Sequence, residues 1–73
     1  MDTPHQAKGM AEVTKEEFFR PIYSEKLNVH PSIVGEHHPD HGYLQVWKFQ
    51  DFARYGLVFG VTWGKRYWVQ QQS

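Results

Sequence analysis

Nine of the twelve aromatic residues in this chain fall between Tyr43 and Trp68, alternating with polar residues and interrupted by glycines. Alternation of this kind sends successive side chains to opposite faces of a strand. It predicts a small twisted antiparallel sheet carrying large rings on both faces. A chain of 73 residues has little else with which to cover two such faces. It makes one domain, near the lower size limit at which a core sustains itself. Stability must then rest on a few rings, each contributing about 1.5–3 kcal/mol when fully buried.

Three segments carry the strand period. Residues 43–50 alternate Tyr43, Gln45, Trp47 and Phe49 against Leu44, Val46 and Lys48. Residues 57–63 alternate Leu57, Phe59, Val61 and Trp63 against Val58, Gly60 and Thr62, and residues 66–70 alternate Arg66, Trp68 and Gln70 against Tyr67 and Val69. Gly64 and Lys65 form the Gly-X pair of a two-residue type II′ hairpin. That turn sets Trp63 opposite Arg66, Val61 opposite Trp68, Phe59 opposite Gln70, Thr62 opposite Tyr67 and Gly60 opposite Val69. It also predicts a cation–π pair between Arg66 and Trp63. Residues 51–56 read as a longer hairpin loop, which makes a three-stranded meander the natural topology.

Ahead of the strands, Thr14, Lys15, Glu16 and Glu17 spell a capping box that opens a helix. Phe18, Phe19, Ile22, Tyr23 and Leu27 follow at i+4 spacings and make an apolar stripe. Pro21 removes a helical hydrogen bond, so the spacing predicts a kinked or two-part helix over 15–27, ended by Asn28. Residues 1–13 hold Pro4 and Gly9 with no hydrophobic period and read as a disordered tail, with Met10 as an alternative start that leaves the unit 14–73 intact. Residues 28–42 hold Pro31, Gly35, Pro39 and Gly42 among four histidines and read as a long loop. The expected fold is therefore α+β: an N-terminal helix packed on a three-stranded antiparallel meander.

Formal net charge is zero but unevenly placed. Residues 1–42 set four cations against seven carboxylates, net −3, and residues 43–73 set four cations against Asp51, net +3. Mutual attraction of the two halves on folding is the preferred explanation of this division, ahead of a basic sheet face presented to an acidic partner. There is no cysteine, which excludes disulfides and thiolate metal sites and favours a reducing, cytoplasmic setting. The longest apolar run, Leu57, Val58 and Phe59, is far too short to span a membrane.

No nucleotide-binding glycine pattern, nucleophile motif or cofactor signature is present, and so small a chain does not readily enclose a substrate pocket. The expectation is not an enzyme. With one helix available to cover one sheet face, the other face is expected to bind a second copy or another protein, through Trp47, Phe49, Trp63, Arg66, Tyr67 and Trp68. The alternative is single-stranded nucleic acid stacked on the same rings, with Lys48, Arg54, Tyr55 and Lys65 beside them; the zero net charge weighs against it. A lesser candidate is a divalent-metal loop built from His37, His38, Asp40 and His41.

Overall fold

In the computed structural model, which describes residues 3–71, the sheet has five strands rather than three. They are β1 (Ala11–Val13), β2 (Val29–His38), β3 (Gly42–Phe49), β4 (Val58–Trp63) and β5 (Arg66–Val69), with the helix α1 (Lys15–Ser24) between β1 and β2. The spatial order is β1-β5-β4-β3-β2, and every neighbouring pair is antiparallel. The expected meander is the centre of this sheet, and β1 and β2 add its two edges. The helix is thus not N-terminal to the strands but crosses one sheet face from the β1 edge to the β2 edge.

The hairpin register follows from its turn. Gly64 has φ 64° while Lys65 stays at negative φ, as a type II′ turn requires. Trp63 pairs with Arg66, Thr62 with Tyr67, Val61 with Trp68 and Gly60 with Val69. One step further on, the Gln70 amide donates to the Phe59 carbonyl at 3.1 Å. The expected cation–π contact is corrected: the Arg66 guanidinium lies 4.6 Å from the Trp68 ring and bonds to Glu12. Strand β1, pairing Glu12 with Trp68 beside Arg66, brings a carboxylate within reach and redirects the guanidinium.

At its other end β4 departs from simple alternation. Trp47 faces Gly60, but Lys48 faces Val58, so Phe59 is an extra residue in a β-bulge. The bulge turns Phe59 onto the helix side, where its ring lies 5.2 Å from Phe18 and 5.7 Å from Phe49. Val58 instead packs with the opposite core. The two residues have exchanged the faces that strict alternation assigned them.

Both faces are covered from within the chain. On one side Phe18, completely buried, packs against Trp47, Phe59 and Tyr67. Phe19 meets Trp47 and Tyr67, whereas Tyr23, expected on the packed stripe, is largely exposed. The Trp47 indole donates to the Thr62 hydroxyl at 2.9 Å, and that hydroxyl donates to Gln45 at 3.3 Å. Buried Thr62 is satisfied this way. On the other side Leu44, Val46, Val61 and Trp68 form a core completed by Ala7 from a 3-10 turn (His5–Ala7), with Met10 at its margin. The expected disordered tail over 1–13 is corrected accordingly: residues 3–13 close the second face and add an edge strand, while Met1 and Asp2 lie outside the described residues.

The helix begins with the full capping box, the Thr14 hydroxyl accepting from the Glu17 amide at 3.1 Å. It runs through Pro21 to Ser24 as one element and stops there. Lys26, not Asn28, takes the left-handed conformation (φ 53°), and the Leu27 amide donates back to the Ile22 carbonyl at 3.0 Å. This is the long hydrogen bond of a Schellman ending. The expected loop 28–42 is mostly strand β2. Pro31 is tolerated because an edge strand leaves half its amides unpaired, and Pro39 with Gly42 (φ 78°) closes a three-residue hairpin loop into β3.

Candidate interaction surface

Residues singled out from the sequence are scattered through this architecture. Trp68 is 2% exposed beneath the N-terminal segment. Trp47 and Tyr67 are half-buried under α1. Arg66 is engaged by Glu12 through two 3.0 Å bonds, and the arginine holds the Glu12 carboxyl below its ordinary range, chiefly by hydrogen bonding. Trp63 packs under His38 and His41 at 5.1 and 4.4 Å. These rings do not make one open aromatic face.

The histidine loop does not converge either. The rings of His38 and His41 are 4.7 Å apart, but His37 lies against Tyr43 at 5.0 Å. The Asp40 amide donates to His38 Nδ1 at 3.1 Å, which engages that nitrogen within the loop itself. Among the described residues, no three His, Cys, Asp or Glu side chains are grouped to hold a metal ion. Likewise among the described residues, no helix is long and apolar enough to cross a membrane.

Only Phe49 of the expected set reaches the surface feature that stands out, at the end of the sheet where β3 turns into β4. Three large apolar side chains project from that connection: Phe52 at 102% exposure, Tyr55 at 78% and Leu57 at 58%. The loop is held in shape. Asp51 caps a 3-10 turn (Phe52–Arg54) by accepting from the Arg54 amide at 2.8 Å. The Leu57 amide donates to the Arg54 carbonyl at 3.0 Å, and the Phe49 amide donates to the Leu57 carbonyl at 2.8 Å. A further bond, from the Gln50 amide to the Asn28 carbonyl at 2.8 Å, ties the loop to the chain leaving α1.

Beside this finger lies an open groove of about 570 Å³ between α1, the loop and the ends of β4 and β5. Phe49, Phe59 and Val69 come to it from the sheet, Pro21 and Leu27 from the helix side, and Leu57 from the finger. Glu17, Glu25, Arg54 and Gln70 supply its polar groups. The Arg54 guanidinium lies 5.0 Å over the Phe49 ring. Glu17 is engaged in the helix cap, whereas Glu25 is an exposed carboxylate just past the end of α1. The other exposed large apolar side chains, Tyr23, Ile33 and Tyr43, come from three separate elements.

From the sequence, residues 51–56 read as a hairpin loop in which only Arg54 and Tyr55 are candidate contacts, for nucleic acid, and Phe52 is not singled out. The available signal was composition: a hairpin loop ordinarily carries Gly, Asn, Asp, Pro or Ser, and this one places Phe52, Arg54 and Tyr55 together. Such residue types are enriched where proteins meet.

Comparison with protein-family models, with curated proteins and with solved structures finds no match to this chain.

Proposed function

We propose that this chain is a small non-enzymatic interaction module that binds a protein, a second copy or a different chain, through the aromatic end of its sheet. The observation that carries this reading is Phe52, fully exposed on a loop whose backbone is fixed by its own hydrogen bonds. An apolar ring carried in water on such a loop does nothing for the fold. In a complex it is an anchor whose backbone is already ordered, leaving only its side chain to be immobilised. Tyr55 and Leu57 extend the apolar area, and the groove floored by Phe49 and Phe59 offers a concave surface next to it. The sheet faces that hold Trp47, Tyr67 and Trp68 are covered by α1 and by the N-terminal segment. This moves the contact surface from a sheet face to the sheet's end.

The test is a photo-crosslinking side chain at position 52, activated in cells that produce the protein. A discrete adduct to a protein, lost when Tyr55 and Leu57 are also changed to Ser, supports the reading. Absence of any protein adduct sinks it.

A further inference from the structure

The finger and the groove are neighbours on the same end of one molecule, one convex and apolar, the other concave and apolar. From this juxtaposition we infer that the occupant of the groove is the finger of a second copy, in a two-fold dimer where each chain inserts Phe52 and Tyr55 into the other. The inference rests on the interaction-module reading and names its partner.

Shape and charge both point to a copy of the same chain. A two-fold interface must present both halves of every contact on one patch, and this patch does so. A groove of about 570 Å³ accommodates two aromatic rings. The charge arrangement is self-complementary: Arg54, its guanidinium over Phe49, stands on the finger side of the groove and Glu25 on the helix side, so one patch carries both signs. A two-fold axis brings each Arg54 toward the Glu25 of the other copy, forming two equivalent pairs. With zero formal net charge at pH 7, two copies also approach without overall repulsion. Phe52 and Tyr55 each offer about 150–250 Å². The two rings thus supply about 300–500 Å² of each copy's share, which puts the contact below the roughly 800 Å² per partner of a standard-size complex and among the smaller, weaker interfaces.

The charge pairs make the inference testable with exposed positions, whose replacement leaves both cores untouched. Absolute mass is measured by light scattering after gel filtration, from micromolar to millimolar chain, for the full-length protein and three variants. The wild type is expected to be a dimer, and Phe52→Ser is expected to raise its dissociation constant about tenfold or more. Glu25→Arg and Arg54→Glu each place like charges in both pairs, and each is expected to weaken the dimer. Mixing those two variants restores both pairs and is expected to return a heterodimer.

A wild type that stays monomeric throughout overturns the inference, including one that remains monomeric while binding lipid vesicles through Phe52. So does a dimer indifferent to Phe52→Ser and to both charge changes, since it would be built elsewhere. A position-52 adduct to a different protein, together with a monomeric wild type, would overturn this inference while leaving the interaction-module reading in place.

Discussion

The Phe18 ring rests directly on Gly60. A β-carbon at position 60 would stand 2.7 Å from Phe18 Cε2 and would also collide with the Trp68 carbonyl oxygen. The glycine is therefore a socket in the middle strand, and α1 is seated on the sheet by one ring entering it. Around that ring stand Phe19, Trp47, Phe59 and Tyr67, with centroids 5.0–5.5 Å away. Edge-on and tilted contacts at such distances are favoured arrangements for aromatic rings.

Gly60→Ala is expected to destabilise the fold by about 1–3 kcal/mol through overpacking. Adding Phe18→Leu should recover part of the loss from the ring contact but not the part owed to the Trp68 carbonyl, which is backbone. Urea denaturation of the two single variants and the double variant measures the coupling. Strict additivity would show that the ring and the socket are energetically independent.

Removing the residues ahead of Met10 is expected to damage the fold, contrary to the expectation of a dispensable tail. Ala7 is 1% exposed within the core that holds Trp68. Uncovering Trp68 forfeits burial on the order of 1.5–3 kcal/mol. Tryptophan fluorescence should shift to the red and the thermal midpoint should fall. An unchanged midpoint would show that the 3-10 turn contributes nothing to this core.

Lys26→Gly is expected to stabilise the protein by about 0.5–1 kcal/mol. A side chain in the left-handed region costs roughly 1–2 kcal/mol, partly offset by the greater freedom of glycine in the unfolded chain. Lys26 is exposed and holds the position where glycine usually ends a helix. Thermal unfolding should show the gain, and a lower midpoint would mean the lysine side chain makes a contact worth more than the backbone strain.

The pairing of Glu12 with Arg66 gives β1 a pH dependence. The folded-state pKa of Glu12 is lowered, chiefly by the hydrogen bond from Arg66, which outweighs the opposing effect of burial and is reinforced by the arginine's charge. A depressed carboxyl contributes stability that is present above its unfolded pKa and lost as pH falls through the folded value. The contribution is therefore complete at neutral pH and disappears in the acid range below the ordinary pKa of a glutamate. The side chain is 44% exposed, so solvent screening keeps the effect modest. Glu12→Gln should flatten the acid limb of the stability curve without changing its neutral shape. Equal acid sensitivity in both proteins would show that the pair carries no linkage.

How much of this was legible varied with how local the cause was. The Thr14–Glu17 capping box and the Gly64–Lys65 turn each depend on a few adjacent residues, and both form as their sequence requires. The edge strands were illegible because β1 has three residues and β2 is interrupted by Pro31 and Gly35, features that look like loop until a partner strand is supplied. Phe59 was assigned to the wrong face because nothing in its neighbours announces a bulge. Arg54 and Tyr55 were legible only as candidate nucleic-acid contacts, and Phe52 was missed for a different reason: period analysis looks for buried residues, and Phe52 has no period to keep.

By itself, then, the sequence determined the helix start, the central meander and the register of its hairpin, since each is set by steric and hydrogen-bonding rules acting over a few residues. Only the tertiary structure decided which segments close the two faces, where Arg66 finds its carboxylate and which aromatic rings remain in water. Those outcomes depend on residues distant along the chain, such as Ala7 against Val61 or Glu12 against Arg66. Burial is a competition among all apolar groups for a small volume, and its winners cannot be read from any one stretch of chain.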